Sequence, residues 1–456
     1  MQIPTVPRWR SLVNATRFVA NPAIVLTEYI REFGPTFYVY IGGMKKGVVT
    51  IEPHIIQHFL QKNNRNYRKS SIQVDRLGHF LGQGLLTSDG DYWLRQRRLI
   101  QPGFHRSKLE GLREIMQEVI DEFADSLQEE ARKGTEIEVA HKMMELAFKV
   151  VARSLFSADL LEAKLQELSQ SITQLQSFIV RQIRQPYLNP WFYVSGALRR
   201  HEQIARDADQ IILDVIRERR QSDGEKNDLL QMLLDVRYED SGEPMTDRQL
   251  LDESKIIFVA GHETTANALA WTWYLLSRRP EVVTKIREEL DRVTGGSHPG
   301  FADLPRLEYT TAVIEESMRL YPPAWITDRQ ANEADEVGDL KVPKDAIVVP
   351  FIYGVHHSER LWEDPEAFNP DRFAKEEKNR MPPYSYMPFG GGPRLCIGNS
   401  FALMEMQLIL ATLLRRFDIE LVPDQTIEAQ PLVTLRPRYG IRMRFKPLTA
   451  PLVQMT

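Results

Sequence analysis

The feature that most constrains this chain is a long stretch of helical patterning from about residue 105 to residue 295. Segments such as LEGLREIMQEVIDEFADSLQEEARK repeat apolar residues at spacings of three and four, which places one apolar stripe against a core. The chain has 456 residues, of which 43% are hydrophobic and 26% charged, so collagen-like, disordered and disulfide-scaffold classes are excluded. The sequence therefore predicts a mainly helical globular protein with a large core.

Smaller β elements flank the helical region. Residues 35–42 (PTFYVYIG) and 46–52 (KGVVTIE) are rich in Val, Tyr, Phe and Thr, and they predict a hairpin near the start of the chain. Residues 342–354 (VPKDAIVVPFIYG) predict a second hairpin. A last helix is predicted from about residue 398 to residue 416.

Residues 184–200 interrupt the helices with prolines and aromatic residues, a composition that predicts a helix-to-helix connection. A mobile apolar lid over a buried site is the alternative for this segment. No repeat and no low-complexity linker divides the chain, so we expect one domain over residues 1–456.

The formal net charge of -4 is too mild for a nucleic-acid binder, so we expect no nucleic-acid partner. The first 22 residues contain no apolar run that suits a signal peptide or a membrane anchor. Cys396 is the single cysteine, which excludes an internal disulfide, a Cys-rich zinc site and a cysteine-ligated iron–sulfur cluster. This cysteine usage predicts a reducing compartment, and we expect a cytoplasmic location.

The lone cysteine lies in an unusual loop, residues 389–398 (FGGGPRLCIG), just before the last predicted helix. An isolated cysteine is most often a small buried hydrophobe. Here, however, the N–H groups at the start of the helix can hold a thiolate at Cys396 and lower its basicity. Gly392 and Gly398 would let the backbone approach a flat cofactor, and Arg394 would supply a cation for a carboxylate on that cofactor.

From Phe389 to Gly398 the loop has the form F-x-x-G-x-R-x-C-x-G, which resembles the haem-binding signature of the cytochromes P-450. The resemblance implies that the cofactor is haem b, with Cys396 as the axial thiolate ligand of its iron. It also implies a mainly α fold with small β-sheets, in which a triangular all-helical core adjoins a β-rich N-terminal part. A c-type haem would require C-x-x-C-H, which a single cysteine cannot supply.

A second motif lies in the proline-free segment 251–277, which predicts one long helix. At its centre, residues 260–265 (AGHETT) place Gly and paired Thr at positions that disfavour a helix, and a Thr hydroxyl can bond back to the preceding turn and open a notch. The motif resembles the acid–alcohol motif of the family, on the helix that crosses the distal face of the haem. The resemblance implies that Glu263 relays protons and that Thr264 assists oxygen activation. His262 is expected to be a packing or surface residue.

Two further motifs resemble structural and haem-holding elements of the family. Glu316 and Arg319 match E-x-x-R, and Arg372 lies in a later segment that completes this network, so the resemblance implies a buried structural triad. Trp93 and Arg97 match W-x-x-x-R and, by resemblance, bind the haem propionates. Three more candidates for the propionates, besides Arg394, are Arg329, Lys69 and His79.

The resemblance also implies partners. A ferredoxin- or flavodoxin-type donor would deliver electrons, ultimately from NAD(P)H, to the proximal face of a monomer. Arg95, Arg98, Arg106 and Lys108 suit an acidic donor there, although a merely solvated basic surface is the alternative.

We therefore predict a haem-thiolate monooxygenase, in which one atom of dioxygen enters an apolar substrate and the other leaves as water. By alignment with the family, the distal pocket is lined by Leu86, Ala260, Ala324, Ile326 and Val433, which favours a fatty acid, a terpenoid or a similar ligand. The sequence is most similar to soluble bacterial members related to long-chain fatty-acid hydroxylases. The alternatives are a haem-thiolate isomerase or peroxygenase, against which the acid–alcohol pair counts, and a non-catalytic haem-based ligand sensor.

Overall fold

The structure is a computed structural model, and it describes residues 3–41, 45–157, 162–221 and 226–448. Several 3₁₀ and π turns connect its α-helices. The helices are α1 (Arg8–Val13), α2 (Ala15–Ala20), α3 (Pro22–Phe33), α4 (Pro53–Gln57), α5 (Gly78–Leu81), α6 (Gly90–Ile100), α7 (Arg106–Arg132), α8 (Val139–Phe156), α9 (Glu162–Arg184), α10 (Asn189–Val194), α11 (Ala197–Gln221), α12 (Leu229–Asp235), α13 (Asp247–Ser277), α14 (Pro280–Thr294), α15 (Glu308–Leu320), α16 (Ile352–His356), α17 (Lys375–Lys378) and α18 (Asn399–Arg416).

The strands form one larger sheet and three small ones. The strands are β1 (Thr36–Ile41), β2 (Lys45–Thr50), β3 (Tyr67–Arg68), β4 (Ile137–Glu138), β5 (Arg329–Ala331), β6 (Asp335–Val337), β7 (Leu340–Val342), β8 (Ile347–Pro350), β9 (Phe417–Leu421), β10 (Ala429–Pro431), β11 (Leu435–Pro437) and β12 (Arg442–Pro447). In the larger sheet the order is β1-β2-β8-β5-β3, and the small sheets pair β10 with β11, β6 with β7, and β12 with both β4 and β9.

Helix α13 runs through the centre of the helical core. It begins at Asp247, four residues before the start predicted from the sequence at residue 251. A capping box precedes it, in which the side chains of Thr246 and Gln249 each accept the other's backbone N–H. Both Trp271 and Trp273 are fully buried, so the helix has apolar neighbours on opposite sides. It packs against α8, α11 and α15. At Gly261 a Cβ would lie 3.0 Å from a methyl group of Val151, so the glycine lets α8 approach this helix closely.

The first predicted hairpin is confirmed, because β1 and β2 pair antiparallel with Thr36 opposite Thr50. Residue 42, the last of the first predicted strand, lies outside the described residues. The second predicted hairpin, over residues 342–354, is wrong. Strand β7 pairs with β6, whereas β8 lies between β2 and β5, and the chain continues into α16. All four residues of β8 are buried, so this apolar run suits a central strand, and the pattern alone does not name its partners.

The segment 184–200 is a helix-to-helix connection, as predicted, and it contains α10 between α9 and α11. Phe192 is buried there, whereas Tyr187, Trp191 and Tyr193 are exposed. The lid function of this segment stays a prediction. Within the ranges that the structure describes, we find no helix with the length and apolar character that crossing a bilayer demands.

Candidate active site

The cysteine loop is closed on itself before α18 begins. The Cys396 N–H donates to the carbonyl of Phe389 at 3.0 Å, and the Leu395 N–H donates to the carbonyl of Gly392 at 3.0 Å. Helix α18 begins at Asn399, three residues after the cysteine. The side chain of Cys396 is therefore held at the start of a long buried helix, as the sequence predicts.

Two opposing effects act on the Cys396 thiol. Burial raises its pKa, while the N–H of Gly398 and the guanidinium of Arg97 act to lower it. The residue keeps an accessible surface even though protein atoms crowd its thiol. The thiolate is the form of cysteine that binds a metal ion, and a metal ion bound at the sulfur would stabilise the thiolate by its positive charge.

Gly392 has a packing role, while its approach to a cofactor stays a prediction. Its φ is +67°, and a Cβ there would overlap the backbone carbonyl of Leu60. The glycine therefore allows the loop to pack against the turn that carries Leu60. Gly398 has no such collision, since a Cβ there would lie 4.0 Å from the ring of Phe104.

Three cationic side chains lie near one carboxylate beside this loop, and two of them, Lys69 and Arg329, are buried while Arg394 is partly buried. Arg394 forms an ion pair with Asp89, and its guanidinium lies 4.3 Å from the ring centroid of the buried Trp93. The Lys69 N–H donates to Asp89 at 2.5 Å, and the Lys69 ammonium donates to the carbonyls of Leu85 and Leu86. Arg329 is also buried and feels the charges of both Asp89 and Arg394. We call Lys69, Arg329 and Arg394 the cation cluster.

The cation cluster faces other acids besides Asp89, since Asp328 acts on Arg329 and Glu253 acts on Lys69. Burial, together with the charges of Arg394 and Arg329, lowers the pKa of Lys69 to about 7. Burial and Arg394 lower the pKa of Arg329 to about 10. Nη1 of Arg394 is buried and has no hydrogen-bond partner among the described residues. This Nη1 is a donor that an additional anion could bond, and a propionate of haem fits it.

The other predicted propionate residues lie in different surroundings. Arg97 donates to Gln101 at 3.3 Å and lies close enough to Cys396 for their charges to interact. His79 is half-exposed, and its Nε2 lies 3.1 Å from Glu202 of α11. The structure therefore places Arg97 on the cysteine side of the site, and it gives His79 a surface carboxylate as partner.

The acid–alcohol segment remains helical. Thr264 donates its hydroxyl to the carbonyl of Ala260 at 2.7 Å, which is the predicted bond to the preceding turn, but α13 continues without a break. The predicted notch is therefore not formed by a broken helix. Ala260 is exposed in the middle of a helix that is otherwise largely buried, so this position faces open space. His262 is buried against Phe148, and its Nδ1–H donates to the carbonyl of Phe258 at 2.8 Å, which confirms a packing position.

Glu263 is anchored by two donors that the sequence analysis missed. Gln176 of α9 donates to one carboxylate oxygen at 2.6 Å, and the Thr434 hydroxyl donates to the other at 2.6 Å. Thr434 in turn accepts a bond from Asn267 of α13 at 3.0 Å. Both donors come from distant parts of the chain, so no local sequence pattern predicts their contact with Glu263. Asp89, also missed, was recognisable as the N-cap of α6, where its side chain accepts the N–H of Gly90.

The predicted pocket residues lie on segments fastened to one another and to α13. Trp325 donates to the carbonyl of Leu432 at 3.0 Å, and the N–H of Leu435 donates to the carbonyl of Pro323 at 3.0 Å. These bonds join the segment with Ala324 and Ile326 to the turn with Val433, which meets α13 through Thr434 and Glu263. Three of the five apolar side chains, those of Leu86, Ala260 and Val433, are exposed, and the remaining two are partly exposed, namely Ala324 and Ile326.

The structure brings the predicted triad together. Glu316 and Arg319 are fully buried and make two bonds, of 2.7 and 2.9 Å. Arg319 also donates to the carbonyls of His356 and Pro365, each at 2.8 Å. Nε of Arg372 lies 3.6 Å from the Glu316 carboxylate. This network ties α15 to the segment between α16 and α17.

Known proteins with the same sequence pattern and fold are numerous. The family model described as Cytochrome P-450 matches residues 3–443. The chain is 34% identical to the cyclooctatin synthase of Streptomyces melanosporofaciens, over 84% of this chain and 83% of that protein. It is 32% identical to the cyclooctat-9-en-7-ol 5-monooxygenase of the same organism, over 84% and 83%. The cytochrome P450DA heme domain superposes with a TM-score of 0.87 at 25% identity, over 98% of this chain and 97% of that one. The predicted fold class is thereby confirmed.

Proposed function

The chain belongs to the cytochrome P-450 family and is an oxygen-incorporating monooxygenase, and on that premise we propose that Cys396 holds its haem and that its substrate is an apolar cyclic molecule of terpenoid type. Its cofactor is haem b and its co-substrate is dioxygen. The observation that carries the site assignment is the cation cluster beside Trp93 and the cysteine loop, in which Nη1 of Arg394 is buried without a hydrogen-bond partner among the described residues.

The roles of the residues follow from their positions. When bound, the haem supplies the redox chemistry by which one oxygen atom enters the substrate and the other leaves as water. Cys396 would supply the thiolate that holds the haem iron, from the loop between Phe389 and Gly398. The cation cluster would hold the propionates, with the Trp93 ring 4.3 Å from the Arg394 guanidinium. Arg97 places a positive charge near the sulfur.

Proton delivery is assigned to Glu263 and Thr264. The two Glu263 oxygens are held by Gln176 and Thr434, so a proton reaches Thr264 only when one of these bonds opens and the carboxyl turns inward. The Thr264 hydroxyl already donates to Ala260, which leaves its oxygen lone pairs available to accept a bond at the exposed side of Ala260.

The apolar character of the pocket supports the substrate class. Leu86, Ala260, Ala324, Ile326 and Val433 offer hydrocarbon surface, which favours an apolar substrate. One relative is named for the oxidation of a cyclic unsaturated alcohol, so a cyclic terpenoid alcohol is the first substrate to test. Long-chain fatty acids, favoured by the sequence resemblance alone, form the second set.

The test is a titration of the ferric protein with two panels, fatty acids of increasing chain length and cyclic terpenoid alcohols. A low-to-high spin change with the terpenoids, and incorporation of labelled dioxygen into the product, would support the proposal. A spin change with fatty acids alone would overturn the substrate class. Ala260→Phe should abolish the response while the haem remains bound, whereas Val13→Phe, at an exposed position on α1, should leave it unchanged.

We also propose the partners and the location. Arg98 and Lys108 are exposed, and Arg95 and Arg106 lie nearby in sequence, which suits an acidic ferredoxin- or flavodoxin-type donor supplied by NAD(P)H. Reversing the charges of Arg98 and Lys108 should slow reduction by such a donor, most strongly at low salt. A monomer of one domain over residues 1–456 stays our prediction, as does a cytoplasmic location, which suits a cysteine kept reduced.

A further inference from the structure

Two consecutive buried acids of α13 contact the loop from Gly82 to Ser88. A carboxylate oxygen of Asp252 accepts the N–H of Gln83 at 2.9 Å, and a carboxylate oxygen of Glu253 accepts the N–H of Leu85 at 2.9 Å. Asp252 is 3% exposed and Glu253 is fully buried. A Cβ on Gly84 would lie 2.8 Å from the Glu253 carboxylate, so the backbone of the loop rests directly on this acid.

The opposite side of the same loop is held by Lys69. Its ammonium donates to the carbonyl of Leu85 at 2.5 Å and to that of Leu86 at 2.9 Å. Both backbone polar groups of Leu85 are therefore bound by buried ionisable side chains. The loop also bonds to itself, since Thr87 donates to Gly82 and Ser88 donates to Gly84.

Burial of the Glu253 carboxyl group at this position costs free energy. Burial, assisted by the charge of Asp252, raises its pKa to about 8 against the lowering effect of the Leu85 N–H and of the Lys69 charge. One of its carboxylate oxygens is buried without a hydrogen-bond partner among the described residues. The hydrogen bond that offsets this cost comes from the backbone of the loop, through the N–H of Leu85. The acid therefore acts on the position of the loop.

Glu253 and Ala260 are seven residues apart on one unbroken helix, which places them on the same face about 10 Å apart along its axis. We propose that Glu253, supported by Asp252, is a positioning residue for the substrate: it fixes the amide of Leu85 and thereby sets the position of Leu86, the next residue of the loop. This inference rests on the proposed function, in which Leu86 and Ala260 line the pocket. Glu253 acts through the loop and does not touch the substrate.

The experiment compares Glu253→Leu, which removes the acceptor, with Glu253→Gln, which keeps a carbonyl oxygen for Leu85. The probes are imidazole and 4-phenylimidazole, titrated into the ferric holoprotein. Imidazole is too small to reach the loop, whereas the phenyl ring needs the pocket wall. We expect Glu253→Leu to weaken 4-phenylimidazole binding about tenfold, to leave imidazole unchanged, and to accelerate amide exchange in residues 82–88 by a similar factor. Glu253→Gln should behave like the natural protein.

A second variant keeps the test decisive if Glu253→Leu fails to fold. Gly84→Ala would push the loop off the carboxylate, and it should weaken 4-phenylimidazole selectively as well. Equal binding of 4-phenylimidazole to these variants and to the natural protein, with unchanged amide exchange, would overturn the inference. A failure of the proposed function is distinct, because then the unsubstituted protein itself would bind neither azole at a haem.

Discussion

At the scale of single residues, the site is defined by cationic side chains held in a largely buried place. Lys69, Arg329 and Arg394 lie around Asp89, while Asp328 also acts on Arg329 and Glu253 on Lys69. Burial, together with the repulsion between the like charges, lowers the pKa of Lys69 and of Arg329. An anion that accepts from the unpartnered Nη1 of Arg394 would stabilise the charged form of this cluster.

We predict that Arg329→Gln weakens haem retention. Hydrogen bonds to charged groups contribute about 1.5–3 kcal/mol, so we expect the rate of haem transfer to a scavenging globin to rise roughly 10- to 100-fold. Arg95→Gln is the matched control, because Arg95 is half-exposed and pairs with Asp240 at 3.0 Å. Haem transfer from Arg329→Gln at the rate of the control would show that the cation cluster does not bind the propionates.

At the scale of elements, the cysteine loop combines two glycines with positive φ that differ in their surroundings. Gly390 has φ +76° and open space around its Cβ position, whereas Gly392 has φ +67° and faces the carbonyl of Leu60. Both conformations strain any other residue, but only Gly392 adds a collision with backbone. The position of Cys396 therefore depends on the packing of its loop as well as on α18.

We predict that Gly392→Ala is far more damaging than Gly390→Ala. The strain alone costs about 1–2 kcal/mol, so Gly390→Ala should bind haem nearly normally at a slightly lower melting temperature. Gly392→Ala must displace the loop from Leu60 and should lose most of its bound haem, measured as the ratio of Soret absorbance to protein. Equal haem content in the two variants would contradict this reading of the loop.

The elements that local chemistry defines were predictable from the sequence. The loop before Cys396 and the helix with Glu263 and Thr264 each carry their residues at fixed spacing, and α13 has no proline to end it. Contacts between distant segments were not predictable in this way. Gln176 and Thr434 reach Glu263 from elements far along the chain, and β8 takes its partners from β2 and β5 instead of β7. Periodicity indicates which face of an element is buried, but it does not identify the element against which that face packs.

At the scale of the whole molecule, buried polar networks join segments that are distant in sequence. The Glu316–Arg319 pair ties α15 to the chain around Pro365 and Ala367. Strand β8 likewise joins the early hairpin to the second half of the chain. These links hold the helices that carry the distal residues and the loop that carries Cys396 in one framework.

We predict that Glu316→Ala destabilises the holoprotein by about 3–5 kcal/mol, because it leaves the buried Arg319 without a counter-charge. The control is Glu377→Ala, which removes an exposed partner of Arg380 and should cost at most about 1 kcal/mol. The urea midpoint of the holoprotein measures both. A Glu316→Ala midpoint equal to that of the control would mean that the triad is not structural.

The central claim is that Cys396 is the thiolate ligand of a haem. The most direct test is the absorption spectrum of the dithionite-reduced protein with carbon monoxide, recorded for the natural sequence and for Cys396→Ser. The account predicts a strongly red-shifted Soret band that Cys396→Ser abolishes. A folded, haem-loaded natural protein without that band, or a band that persists in Cys396→Ser, would contradict it.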